Sequence, residues 1–154
     1  MTTPLSILID ADACPVKDEI YRVALRHRVP VKVVSNSPFR IPESALIARV
    51  EVSGSFDAAD DWIAEQAGPS TVVITADILL ADRCLKAGAT VIGNTGKPFT
   101  AGSIGGAIAT RAIMADLRAG ADGAMGGPPP FSKADRSRFL QELDTTLVRL
   151  TRRI

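Results

Sequence analysis

Aspartates follow predicted strands at three separate places in this sequence. The three places share one arrangement, an extended segment that ends in carboxylates, and they contain Asp10 and Asp12, then Asp57, Asp60 and Asp61, and finally Asp77. Carboxylates that crowd together repel one another unless a cation or protons relieve the repulsion. Oxygen ligands without a partnering histidine or thiolate favour Mg²⁺ or Mn²⁺, and such ions can activate water and stabilise a phosphoryl transition state.

The elements that must position these aspartates are predicted from hydrophobic periodicity and from Gly and Pro breakers. Strands are predicted at residues 5–9, 31–34, 49–52, 71–75 and 90–92. Helices are predicted at residues 15–27, 56–67, 78–87, 103–119 and 132–153. Strands that alternate with helices indicate βαβ units and an α/β fold with a parallel sheet, which places all three acidic junctions on the same edge of the sheet.

Composition and charge restrict the class of protein. The chain has 154 residues, of which 46% are hydrophobic and 23% charged, and these values predict one soluble domain at 1–154. A net charge of +1 excludes a passive nucleic-acid coat, so nucleic-acid binding would need a local basic patch. The sequence contains no membrane-spanning apolar run and no signal-peptide pattern. Because Cys14 and Cys84 are far apart in the chain, we expect no disulfide framework and a cytoplasmic location.

Each aspartate also has a simpler interpretation, because aspartate is a favoured N-cap of helices. Asp12, Asp57 and Asp77 each stand beside a predicted helix start, and Asp60 follows Asp57 at the spacing of a capping box. Asp10 fits this interpretation poorly, since Asp12 stands nearer to the helix. The metal and cap interpretations both remain open, and the meeting of acids from three junctions is the argument for the metal.

Other polar residues on the same predicted edge are candidates for substrate binding. Ser35 and Asn36 follow the second strand, and Lys97 follows the fifth. Polar turn residues are the ordinary alternative for these three. Cys14 stands beside the acids, but the single histidine, His27, is at the far end of the same helix, so a small packed residue is the favoured interpretation of this thiol.

Basic residues near the C-terminus could contact a phosphate backbone. The candidates lie on the fourth and fifth predicted helices and are Arg111, Arg118, Lys133, Arg136 and Arg138. A solvated charged face is the alternative. With one Trp and one Tyr, any contact with RNA is expected to be mostly with its backbone. Residues 120–131 predict a Gly/Pro-rich loop, and the helix after it is expected to pack on the domain or on a second copy of the chain.

Five motifs together resemble a known protein family. They occur in the family's order and span nearly the whole chain: Asp10-Ala-Asp-Ala-Cys-Pro15, Phe56-Asp-Ala-Ala-Asp60, Thr75-Ala-Asp-Ile-Leu-Leu-Ala81, Gly126-Gly-Pro and Phe131-Ser-Lys-Ala-Asp-Arg136. The chain is identified by them as a member of the uncharacterised YaiI/YqxD family, also called UPF0178 or DUF188. That family is similar to PIN-domain and NYN-type nucleases, and the kinship implies a three-layer α/β/α fold with a mainly parallel, roughly five-stranded sheet.

The resemblance also implies roles for individual residues. It implies a metal site at Asp10, Asp57, Asp60 and Asp77, whereas Asp12 belongs to the family's own motif. We expect Asp10, Asp12 and Asp77 to be the catalytic groups, with Asp12 as a metal ligand or as the residue that orients the water. One position departs from the nuclease pattern, because Ile78-Leu79-Leu80 follows Asp77 where another acid is common, and Asp82 comes only later. The sequence therefore predicts an Mg²⁺- or Mn²⁺-dependent phosphodiesterase that acts on RNA. The alternatives are a non-catalytic module that binds RNA or protein, and a small-molecule phosphatase.

Overall fold

The structure, a computed structural model, describes residues 4–38, 40–52, 57–120 and 131–152. Its strands are β1 (Ser6–Asp10), β2 (Val31–Ser35), β3 (Ile47–Glu51), β4 (Thr71–Ile74), β5 (Thr90–Ile92) and β6 (Pro98–Phe99). Its helices are α1 (Lys17–His27), α2 (Ala58–Gln66), α3 (Ile78–Lys86), α4 (Ala101–Gly120) and α5 (Lys133–Arg152), and a 3₁₀ turn, Ala11–Ala13, connects β1 to α1. The predicted loop at 120–131 and its Gly126-Gly-Pro motif lie almost entirely outside the described residues.

Within those ranges the strands form one sheet in the order β3-β2-β1-β4-β5-β6. The first five strands are parallel, and β6 runs antiparallel to β5. The α/β, mainly parallel prediction is confirmed, but the estimate of five strands omits β6. That strand was missed because it is only Pro98–Phe99, and its proline lies in what the sequence predicts as a loop.

Both faces of the sheet are covered by helices, which makes the fold a three-layer α/β/α arrangement. On one face Ile7 and Ile9 of β1 pack with α1 and α5 through residues such as Phe139. On the other face Leu8 packs with α2 and α3, and Ile104 of α4 joins this cluster. The central strands are almost wholly apolar because both of their faces are buried. No helix in the described part of the chain combines the length and hydrophobicity that crossing a bilayer requires.

The start of α5 is fixed against the turn that connects β5 to β6. Ser132 and Asp135 cap the helix reciprocally, since each accepts a hydrogen bond from the other's backbone N–H. Gly96 in the turn has φ of 88°, and a Cβ there would lie 2.6 Å from the carbonyl carbon of Arg138. Only glycine therefore allows this turn and α5 to approach so closely.

Candidate functional site

The first pocket lies at the carboxyl ends of β1 and β4 and has a volume of about 310 Å³. Its walls combine four carboxylates with one amide and two small side chains, and they consist of Asp10, Asp12, Asn36, Ala59, Asp60, Ala76 and Asp77. Because β1 and β4 are parallel neighbours, the residues that follow them emerge at the same edge. The structure therefore brings together acids from all three predicted junctions.

Thr75 connects two of these junctions through its buried hydroxyl group. The Thr75 Oγ1 donates a hydrogen bond of 2.8 Å to Asp10 Oδ2 and accepts one of 3.0 Å from the Asp77 N–H. The side chain thus fixes the Asp10 carboxylate relative to the start of the Asp77 segment. Sequence reasoning counted Thr75 only as a β-branched strand residue. Its one signal was a hydroxyl at the end of an otherwise apolar strand, two residues before an acid.

Lys17 is a second positioning residue that sequence reasoning missed. Its Nζ donates hydrogen bonds to the backbone carbonyls of Ala11 at 3.1 Å and Cys14 at 2.9 Å. These two carbonyls flank the 3₁₀ turn that contains Asp12. The Asp12 Oδ2 in turn accepts a hydrogen bond of 3.1 Å from the Asn36 N–H. Asp12 is therefore held from both sides, by its own turn and by the residue after β2.

The cap interpretation is confirmed for only one of these acids. The Asp77 Oδ1 accepts hydrogen bonds from the N–H groups of Leu79 at 2.9 Å and Leu80 at 3.2 Å, as an N-cap does. Asp57 occupies the N-cap position of α2 without a side-chain cap bond, and α1 begins after Val16 rather than after Asp12. Asp10, Asp12 and Asp77 each accept hydrogen bonds through one oxygen, and among the described residues none donates to the other oxygen.

The surroundings of the first pocket disfavour the charged form of carboxylates that line it. Burial raises the pKa of Asp10; the hydrogen bond from Thr75 offsets part of this effect, and the neighbouring Asp77 and Asp12 add to it. Burial together with repulsion from Asp10, Asp77 and Asp57 raises the pKa of Asp60 to about 6, against a smaller lowering by Arg83. A bound proton or cation would relieve this repulsion.

The donor set suits a hard divalent cation, although the side chains are not arranged as a closed cage. In the described part of the chain, no group of three or more His, Cys, Asp or Glu side chains is arranged to hold a metal ion. Mg²⁺, however, usually keeps several waters and binds proteins through one or two carboxylates together with substrate phosphates. The unused oxygens of Asp10 and Asp77 could supply such a pair.

A second pocket of about 340 Å³ adjoins the first and shares Asp60 and Asp77 with it. The remaining wall residues come from α3, α4 and the start of α2, and they are Asp57, Asp61, Leu79, Leu80, Arg83 and Arg111. The structure thus places the predicted metal ligand Asp57 beside the second pocket rather than the first. It also places Arg111, a predicted substrate contact, close to the acidic residues.

The other predicted substrate residues lie elsewhere. Ser35 is completely buried and its hydroxyl donates to the Ser37 carbonyl, so it closes the turn after β2. Lys97 is exposed in the turn between β5 and β6 and lines neither pocket. Asn36 does line the first pocket. The predicted edge was therefore correct, but only part of it forms the pocket.

Within the described part of the chain, two of the five residues in the predicted basic rim are engaged in ion pairs. Arg136 pairs with Glu19 of α1, and Arg138 pairs with Asp135 at 3.1 Å. Lys133 is exposed at the start of α5, and the Arg118 side chain lies outside the described residues. Among these candidates, Arg111 is the one that the structure places at a pocket beside the acids.

Three further residues have structural roles. Cys14 is buried, and burial raises the pKa of its thiol to about 11, which agrees with a packed residue rather than a nucleophile. His27 lies at the end of α1, and its Nε2 is 2.7 Å from Asp144 Oδ1 of α5. Asp82 pairs with Lys86 and lines neither pocket, so it does not replace the acid that the nuclease pattern has after Asp77.

Comparison with known proteins identifies close relatives along the whole chain. The profile of DUF188, described as "Uncharacterized BCR, YaiI/YqxD family", matches residues 8–149. A UPF0178 protein of Sphingopyxis alaskensis is 69% identical over 152 residues, which cover 99% of this chain and 98% of the relative. A UPF0178 protein of Bradyrhizobium diazoefficiens is 58% identical over 151 residues, covering 98% and 90% of the two chains. No solved structure matches the chain.

Proposed function

The chain belongs to the YaiI/YqxD (DUF188) family, and from the geometry of its first pocket we propose that it is a divalent-cation-dependent phosphodiesterase acting on RNA. One observation supports this proposal above all others: acids from three junctions line a single pocket, and burial together with their mutual repulsion raises the pKa of Asp60 to about 6. In the described residues no Lys, Arg or His side chain forms an ion pair with Asp10, Asp12, Asp60 or Asp77. The preference for RNA rests on the resemblance to PIN-domain and NYN-type nucleases.

The roles of the residues follow from their places in the pocket. Asp10 and Asp77 would hold Mg²⁺ or Mn²⁺ through their unused oxygens, and Asp60 would contribute its charge from α2. When bound, such an ion lowers the pKa of a water and neutralises phosphate charge. Asp12, held by the Asn36 N–H, would orient the attacking water. Thr75 keeps Asp10 in place while the charge around it changes.

The test compares the wild-type chain with Asp10→Asn and with a matched control, Asp82→Asn. Asp82 is an aspartate of α3 that pairs with Lys86 and lies outside both pockets. Labelled RNA and DNA oligonucleotides are incubated with Mg²⁺, with Mn²⁺ and with EDTA. We expect metal-dependent cleavage of RNA that Asp10→Asn lowers by ~100-fold or more, while Asp82→Asn retains it. Cleavage that persists both in EDTA and in Asp10→Asn would contradict the proposal.

Cation binding can be measured without activity, because Trp62 is the single tryptophan and stands two residues from Asp60. Titration with Mg²⁺ or Mn²⁺ should change its fluorescence in the wild type and in Asp82→Asn, and should change it less in Asp10→Asn. Cation binding without turnover of any phosphodiester would support the non-catalytic module instead.

A further inference from the structure

The second pocket has a chemical character that differs from the first. It lies between α2, α3 and α4, and four of its eight lining residues are not acidic. Leu79 is 45% exposed there, and Arg111 lines the pocket from α4. An exposed leucine and an arginine beside an acidic pocket call for a ligand with both an apolar face and a negative charge.

Some charged side chains of this pocket have ion-pair or hydrogen-bond partners within the described residues, and Arg111 does not. The Arg83 Nη1 lies 2.9 Å from Asp61 Oδ1, so these two residues neutralise each other. The Asp77 Oδ1 is occupied by capping α3. Arg111 forms no ion pair or hydrogen bond within the described residues, although four aspartates line the same pocket. Its guanidinium is therefore available to a ligand.

Among phosphate ligands, a nucleotide fits these walls better than inorganic phosphate. A nucleobase can pack against an apolar side chain and stack on a guanidinium plane, whereas inorganic phosphate has no use for Leu79. Among the described residues, Tyr21 is buried on the α1 side of the sheet and the ring of Trp62 is covered by Lys32. Of the residues that line the second pocket, Leu79 and Arg111 suit contact with a base.

We infer that the second pocket is a nucleoside subsite, which receives the nucleoside attached to the phosphate in the first pocket and contacts its base through Leu79 and Arg111. The two pockets adjoin, because Asp60 and Asp77 line both of them. This inference rests on the proposed function for the location of the phosphate. It adds that the protein selects its substrate by a base contact as well as by backbone charge.

Two chromogenic phosphodiesters with the same leaving group test the subsite. One is a nucleoside 5′-(p-nitrophenyl phosphate), and the other is methyl p-nitrophenyl phosphate, which lacks a nucleoside. We expect Arg111→Ala and Leu79→Ala each to lower kcat/KM for the nucleoside diester about 10-fold, mainly through KM, and to leave the methyl diester unchanged. The N–H of residue 79 that Asp77 caps belongs to the backbone, so Leu79→Ala keeps the cap.

Arg22→Ala is the matched control, because Arg22 is an exposed arginine of α1 on the opposite face of the sheet. It should leave the turnover of both diesters unchanged. An equal loss for both diesters in Arg111→Ala would show that Arg111 acts on the phosphate, and unchanged turnover of the nucleoside diester would show that the base does not touch it. Either result overturns the inference.

A binding measurement separates the subsite from the proposed activity. If the wild type cleaves neither the RNA oligonucleotides nor the two diesters, the proposed function fails, and binding of AMP and UMP in the presence of Mg²⁺ is measured by calorimetry. Weaker binding to both Leu79→Ala and Arg111→Ala by about 10-fold, with unchanged binding to Arg22→Ala, would still support the nucleoside subsite. Binding to Leu79→Ala equal to that of Arg22→Ala, or no binding to the wild type, would overturn it.

Discussion

The acids of the first pocket lie beside other acids, whereas the acids between α1 and α5 lie beside cations. Between the helices, Glu19 is buried and pairs with Arg136, and Asp144 lies 2.6 Å from Arg26 and 2.7 Å from His27. Hydrogen bonds from His27 and then from Arg26 lower the pKa of Asp144. Asp144 is therefore stabilised in its charged form, and both acids connect two helices that cover the same face of the sheet.

In the first pocket the same kind of side chain is destabilised in its charged form. The pKa values of Asp10 and Asp60 are both raised, by burial first and then by neighbouring carboxylates. Glu19 and Asp144 each lie beside a cation, whereas Asp10 and Asp60 form no ion pair within the described residues. This difference supports the proposed cation site in the first pocket.

The largest effect is expected when an acid between α1 and α5 loses its cation and is left without an ion pair, like the acids of the first pocket. Arg136→Ala removes the cation beside Glu19, whose side chain is only 9% exposed, and leaves a buried charge without compensation. Because Arg136 itself is 43% exposed, we expect a loss of about 2 kcal/mol in the free energy of unfolding, below the usual cost for fully buried pairs. Urea denaturation followed by circular dichroism measures it.

Arg138→Ala is the control, since Arg138 pairs with Asp135 on the exposed side of the same helix. It should cost much less, as exposed ion pairs do. The double variant Glu19→Met with Arg136→Met should recover most of the lost stability, because no charge is then left buried. Equal losses in Arg136→Ala and Arg138→Ala would show that burial of Glu19 contributes nothing.

A smaller effect is expected at the Thr75 hydroxyl, which connects Asp10 with the backbone of Asp77. Thr75→Val keeps the shape of the side chain but removes the donor to Asp10 and the acceptor of the Asp77 N–H. We expect a loss of about 1–2 kcal/mol in the free energy of unfolding, together with weaker cation binding measured by Trp62 fluorescence. Thr75→Ser keeps the hydroxyl and should retain cation binding; failure of serine to restore it would contradict the positioning role.

The contrast between the two regions also marks what the sequence could predict. Buried strands were recognisable because both faces of β1 and β4 are apolar, and a parallel sheet then places Asp10 and Asp77 on one edge. Thr75 could not be recognised, because its bond to Asp10 depends on the register of β1 with β4 across 65 residues of sequence. The helix-pairing acids were missed for the same reason, since Glu19 and Arg136 are 117 residues apart.

Lys97 shows why predicting the edge of the sheet did not suffice to predict which residues line the first pocket. Strand order cannot be read from hydrophobic pattern, and here β5 lies two strands away from β1. Adjacent strands are about 4.8 Å apart, so the turn after β5 begins roughly 10 Å to the side of Asp10. Asn36, which follows the immediate neighbour β2, lies within reach of the first pocket instead.

The smallest expected effect is a difference in the sign of the pH dependence between the two regions. The pKa of Asp60 is about 6 in the folded chain against an ordinary value of 3.8, so the folded state holds a proton that the unfolded state releases. In metal-free protein, stability should therefore fall as pH rises from about 4 to about 6. The lowered pKa of Asp144 has the opposite effect, because its stabilisation is lost as pH falls below its ordinary value of 3.8.

Thermal unfolding in EDTA between pH 4 and pH 7 measures the Asp60 contribution, because the effect of Asp144 lies below this range. Asp60→Asn should reduce the decrease in Tm between pH 5 and pH 7 by a few degrees, and Asp82→Asn should leave it as in the wild type. Saturating Mg²⁺ should reduce the same decrease in the wild type, because a bound cation favours the charged carboxylates. If Asp60→Asn keeps the full decrease in Tm, the repulsion in the first pocket does not destabilise the folded state. The contrast with the α1–α5 face would then no longer support the proposed cation site.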